Sequence, residues 1–87
     1  MILVSLPRAL TTLFPGCPQD VPVEAATVQD AMEELNRRWP GLRDRLCNET
    51  PSLRRHIRVF ARGEIAALET RLSEGDEVFV VTAISGG

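Results

Sequence analysis

The chain has 87 residues, 44% of them apolar and 25% charged, with a net charge of −2. That length supports one small domain, which buries roughly 60% of the surface its unfolded chain exposes. The composition excludes a disordered tail, and the slight acidic excess lacks the basic surplus of a phosphate-gripping nucleic-acid binder. No stretch reaches the roughly 18 apolar residues of a membrane span, and "MILVSLPRAL" has neither the basic start nor the apolar length of a secretion signal. The setting expected is therefore the reducing cytoplasm, with Cys17 and Cys47 as free thiols.

"ILVSL", residues Ile2 to Leu6, reads as a first strand with Ile2, Val4 and Leu6 on one face and Leu3 and Ser5 on the other. Pro7 removes a ladder donor and ends it. "PRALTTLFPGCPQD" reads as a loop with a turn at Pro15-Gly16. Val21 to Ala25 is short and alternating, and Pro22 makes it an edge strand, joined to the first as a hairpin with a long connection.

The helix is the clearest element. Thr27 is an N-cap residue, and Asp30 three residues later resembles the end of a capping box. Val28, Ala31, Met32, Leu35 and Trp39 recur at helical spacing, while Gln29, Glu33, Glu34, Arg37 and Arg38 fall on the other side. Acidic residues come early and arginines late, as the helix dipole favours. Pro40-Gly41 ends it, Leu42 to Leu46 suggests one more short helical piece, and "CNETPSLRRH" reads as loop.

Ile57 to Arg62 alternates as a strand, with Val59 and Ala61 inward and Arg58, Phe60 and Arg62 outward. Gly63 permits a tight turn into a short strand in "EIAALE". "LSEGDE" is a second turn signal centred on Gly75-Asp76, and "VFVVTAI" is the last strand. The order β, β, α, β, short β, β calls for one sheet packed on one main helix, an α+β domain spanning residues 1–87. In the last strand Val78 and Val80 should face the helix. Phe79 and Val81 should then face away, forming with Phe60, Arg58, Arg62 and Ile65 an exposed patch of the kind that marks a protein interface.

Side-chain chemistry finds little purchase. The phosphate-loop, dinucleotide-binding and metalloprotease motifs are all missing, and two distant cysteines with one histidine, His56, do not make a zinc pattern. Nothing in the sequence brings His56 together with Cys17, Cys47 or a serine, so no catalytic side chain and no metal are expected. What remains is "SGG", after the last strand. Without a Cβ, Gly86 and Gly87 can adopt conformations closed to other residues and enter a narrow channel. A mobile tail ending in a carboxylate on Gly87 is a handle that ATP can activate as an acyl-adenylate. All ten basic residues are arginine. Codon usage is the plain reading; a chain without a side-chain amine to acylate is the sharper one.

"LSEGDEVFVVTAISGG", with "IRVFARGE", "MILVSLPRAL" and "ATVQDAMEELNRRWPGLRDRL", resembles the ubiquitin-like sulfur carriers of the MoaD/ThiS family across essentially the whole chain. The resemblance implies a β-grasp fold, with a mixed sheet of four to five strands on one main helix and a flexible Gly-Gly tail. It implies that Gly87 is adenylated by an enzyme related to ubiquitin-activating enzymes, with ATP used by that enzyme and no cofactor bound here. The thiocarboxylate then formed would give sulfide to a sulfur-accepting synthase, the carrier being a non-catalytic monomer when free. The long Pro7–Asp20 loop looks more like the carriers of cysteine biosynthesis and natural-product sulfuration than the compact thiamine carrier, and it weakens a molybdopterin assignment. Two other readings stand beside sulfur carriage: a modifier conjugated to lysines of other proteins, and a non-reactive β-grasp interaction module.

Overall fold

Alternation along the strands fixes which side of each one is buried, and five strands pair accordingly into one sheet. The computed structural model describes residues 1–46 and 57–82. The elements are β1 (Ile2–Ser5), α1 (Arg8–Thr11), β2 (Asp20–Val23), α2 (Val28–Arg38), α3 (Leu42–Leu46), β3 (Ile57–Ala61), β4 (Glu64–Ala66) and β5 (Glu77–Thr82). The strand order is β2-β1-β5-β3-β4. β1 and β5 run parallel at its centre, and every other neighbouring pair is antiparallel. The sheet is mixed, as the family resemblance implies, and the domain is α+β, as the order of elements predicts.

One face of the sheet is dry. Ile2, Val4, Val21, Val23, Ile57, Val59, Val78 and Val80 point to it, and α2 lays Val28, Ala31, Met32 and Leu35 into the same core. Leu42 and Leu46 of α3 complete that layer. Trp39, expected on the apolar stripe, is half-buried and packs against the core edge after the helix has ended.

The ends of α2 are tied rather than frayed. Thr27 Oγ1 accepts a hydrogen bond from Asp30 N at 3.1 Å, the N-cap contact expected from the sequence. Val28 N and Gln29 N donate to the carbonyls of Thr70 and Leu68 at 3.1 and 2.8 Å, satisfying two donors that a helix start leaves open. At the other end Asn36 Oδ1 accepts from Gly41 N at 3.0 Å and Arg43 N at 3.3 Å, turning the chain into α3. Gly41 has φ +100°, and the Phe14 ring lies 3.6 Å from where its Cβ would stand.

Three expectations need correction. Residues after Pro7 are not all loop: Arg8–Thr11 form one helical turn that buries Leu10. Pro7 sits at its N-cap, where a missing N–H costs nothing. The second strand is Asp20–Val23 rather than Val21–Ala25, although it is an edge strand, as Pro22 requires. Arg38 Nη1 donates to the Pro22 carbonyl at 3.0 Å, binding the helix to that edge. Finally, the turn before β5 centres on Glu74-Gly75, closed by Asp76 N donating to Ser73 O at 3.0 Å. The expected loop over Cys47–His56 and the end of the last strand beyond Thr82 lie outside the described residues.

Candidate functional site: the bare face of the sheet

Among the described residues no helix covers the other face of the sheet, and the alternation of β5 divides the strand cleanly. Val78 and Val80 are 0% and 3% exposed; Phe79 and Val81 are 45% and 40% exposed. Register then sets the neighbours of Phe79. Phe60 stands opposite it on β3, Ile65 opposite Phe60 on β4, Ser5 opposite Phe79 on β1, and Asp20 opposite Ser5 on β2. A single row thus crosses all five strands, Asp20–Ser5–Phe79–Phe60–Ile65. Its apolar half ends in Ile65, which is 67% exposed. Phe60 is half-buried between its two neighbours rather than fully presented.

Rows on either side differ in charge. Towards the start of β5, Leu3 stands opposite Glu77. Towards its end, Arg58 stands opposite Val81, and Arg58 Nη1 donates to Ile57 O at 3.1 Å. The face is therefore apolar in the middle, acidic at one end and basic at the other, and the basic end is where the chain leaves β5. Apolar area of this kind, rimmed by charge, is what a protein partner covers.

Arg62 occupies a different place from the one its alternation suggests. It lies past the end of β3, in a two-residue turn with Gly63 between Ala61 and Glu64. Both turn residues have positive φ, +53° and +78°, as a type I′ hairpin requires. Arg62 Nη1 is ion-paired with Asp76, Nη2 donates to Arg71 O at 3.2 Å, and Asp76 Oδ2 also accepts from Ser73 N at 2.8 Å. Its guanidinium thus pins the β3–β4 hairpin to the turn that feeds β5, and it is not displayed on the face. Leu3 and Ser5 are the residues that sequence reasoning leaves out of the patch. Their outward alternation is readable, but the parallel pairing that sets them beside β5 is not.

Among the described residues the one remaining candidate, Cys17, offers no reactive centre. Cys17 is half-buried and burial pushes its thiol up, which keeps it protonated and weakly nucleophilic. Among the described residues no group of three or more His, Cys, Asp and Glu side chains is placed to hold a metal ion. No described helix is long and apolar enough to cross a membrane. Cys47, His56, Gly86 and Gly87 lie outside the described residues.

A family model, that of the ThiS family, matches residues 12–87. The chain belongs to the ThiS family. Small archaeal modifier protein 1 of Haloferax volcanii is 39% identical to it over 62 residues, 71% of each chain. Among solved structures, a chain of the BexX/CysO complex of Amycolatopsis orientalis superposes with a TM-score of 0.89 at 30% identity, covering 100% of both chains. The crystal structure of SAMP1 from Haloferax volcanii gives a TM-score of 0.81 at 31% identity, covering 99% of this chain and 98% of that one. The fold of this ThiS-family chain is accordingly the ubiquitin-like β-grasp, and its bare sheet face belongs to a ubiquitin-like domain.

Proposed function

We propose that this chain is a sulfur carrier in which the carboxylate of Gly87 is the reacting group. The observation that carries the reading is that the ThiS-family match runs through to Gly87, so that Gly86-Gly87 follows β5 within the matched region. An activating enzyme related to ubiquitin-activating enzymes joins the carboxylate to the AMP part of ATP and releases pyrophosphate. A sulfide nucleophile then attacks the Gly87 carbonyl, the bond to AMP breaks, and a thiocarboxylate forms. A synthase draws sulfur from it to build a sulfur-containing metabolite, and hydrolysis returns the carboxylate. The carrier supplies no catalytic side chain, binds no ATP of its own and works in the cytoplasm.

The bare face supplies docking. Phe79, Val81, Phe60 and Ile65 would be covered by the partner, with Arg58 at the rim nearest the tail. A relative of 30% identity occurs in a complex with BexX, which agrees with a domain that works by binding an enzyme. Arg62 joins this surface only indirectly, by holding the hairpin that displays Ile65.

Intact mass of the protein isolated from its source tests the reading. A fraction of the chain should be heavier by the difference between sulfur and oxygen, and a thiocarboxylate-selective alkylating reagent should place the adduct on Gly87. Protein co-expressed with its activating enzyme that never carries this adduct would rule sulfur carriage out.

A second reading has its own support in the 39% identity to small archaeal modifier protein 1. In that reading the activated Gly87 is joined to an amine of another protein. Isopeptide-linked conjugates ending in Gly87 would favour it, and the two readings share the same activated intermediate.

A further inference from the structure

The tail and the basic residues can be related by topology. β1 and β5 are parallel, so both strands end at the same end of the sheet. β3 is antiparallel to β5 and begins there, with Ile57 opposite Thr82 and Arg58 opposite Val81. Arg8, three residues after β1, stands at that end as well. The five residues after Thr82 span at most about 17 Å. Arg58, opposite Val81 with Cα atoms about 5 Å apart, is well inside that reach, and Arg8 follows β1, the other direct neighbour of β5. Arg71 precedes the turn into β5 and lies about 20 Å back along the strand direction. The α-amino group of Met1, ion-paired with Glu74, is at that same far end.

We propose that the all-arginine basic set makes the chain inert towards its own activated C-terminus, with Arg58 and Arg8, among the described residues, the positions where a lysine would do harm. This rests on the reading of Gly87 as an acyl group. A lysine amine attacking the activated Gly87 carbonyl would form an amide, expel AMP and lose a proton to solvent, and the carrier would be spent. A short tail presents its end to nearby groups at an effective concentration on the order of millimolar, far above that of a second molecule. Lysine, with a pKa near 10.4, has a reactive free-amine fraction close to neutral pH, whereas the guanidinium of arginine stays protonated and has no lone pair to attack with. Arginine therefore keeps the positive charge beside the tail and removes the nucleophile. Some arginines are also needed for their fork: Arg38 donates to both Glu34 and Pro22 O, and Arg62 to both Asp76 and Arg71 O. Arg8, Arg45 and Arg71 are exposed and make no such two-way contact among the described residues, so the fork alone does not explain them.

A C-terminal thioester of the 87-residue chain, made by intein cleavage with a small thiol, tests this without any activating enzyme. Free thiol in the buffer reverses transfer to cysteine. At mildly alkaline pH the wild-type thioester should give only the hydrolysed acid. Arg58→Lys should give, as its main product, a species lighter than the acid by one water, formed at a rate independent of protein concentration. Peptide mapping should place its amide between the introduced side-chain amine at position 58 and Gly87. Arg71→Lys, within reach only of a fully extended tail folded back along β5, should cyclise much more slowly than Arg58→Lys at low concentration. Wild-type protein that cyclises or forms amide-linked dimers would overturn the proposal, and so would an Arg58→Lys thioester that merely hydrolyses. Neither result depends on whether cells make the thiocarboxylate, which the mass measurement decides separately.

Discussion

The two faces of β5 differ in what they ask of neighbouring residues. Val78 and Val80 lie under α2 and are almost wholly dry, and Phe79 and Val81, one step away along the same strand, face solvent. On the inner face, shape and volume decide stability, and every side chain is replaceable only by something apolar of similar size. On the outer face the same apolar character leaves exposed surface that contributes little to folding. Two exposed β-branched or aromatic residues at the centre of a sheet are poorly explained by stability alone. On the proposed reading a covering partner explains them, and the charge difference between Arg58 and Glu77 would orient that partner along the strand.

Adjacent substitutions in β5 separate the two faces most directly. Val80→Asp buries an unpaired carboxylate, which costs several kcal/mol, against a total stability of about 5–15 kcal/mol for a native domain. The variant should show no cooperative thermal transition. Phe79→Asp places the same charge one residue away and should keep the transition. It should lose about 1 kcal/mol at most, from the aromatic pairing with Phe60 across the strands. Its affinity for the activating enzyme should fall about tenfold or more, the loss of one apolar anchor from an interface. If Phe79→Asp instead unfolds the domain by circular dichroism, the outer face is structural and the docking surface lies elsewhere.

A smaller effect sharpens the role of Arg62, which supports the outer face from beneath. Arg62→Ala loses the contacts to Asp76 and Arg71 O while keeping a side chain at φ +53°, and should cost about 1 kcal/mol in chemical denaturation. Arg62→Gly loses the same contacts but relieves the backbone, and should cost less. If the two variants are equal, the positive φ is unstrained and the ion pair carries the whole effect.

Most of this architecture is legible because period-2 and period-3.6 patterns are unmixed in the chain. Ile2/Val4, Val59/Ala61 and Val78/Val80 mark the dry face, and Val28, Ala31, Met32 and Leu35 mark the helix that covers it. The turn at Arg62-Gly63 is legible from the glycine, but the fate of the arginine is not, because its partner Asp76 is distant in sequence. α1 escapes a sequence reading because four residues are too few to show a period, and because Pro7 signals the end of a strand as readily as the start of a helix. Strand order follows from pairing across the sheet, which no local pattern encodes. That is why Leu3 and Ser5 join the outer row only once β1 is seen beside β5.

The smallest expected effect belongs to the solvent side of α2, where charge rather than apolar area is at work. Glu34 accepts hydrogen bonds from Arg37 and Arg38, which helix geometry brings within reach at i+3 and i+4. The hydrogen bond from Arg37 is the main reason its carboxyl is held below the ordinary glutamate value, with the charges of Arg37 and Arg38 and the bond from Arg38 acting in the same direction against partial desolvation. A depressed folded-state pKa means that the contribution is complete above the unfolded-state value, near 4.5, and is lost as pH falls through the lower folded-state value. Glu34→Gln should therefore slightly lower stability at pH 7 and bring its curve together with that of wild type at the acid end. Salt should shrink the difference at neutral pH, since the arginines that cause it are at the surface. A gap that persists at low pH would mean that Glu34 acts through packing against its neighbours and not through its charge.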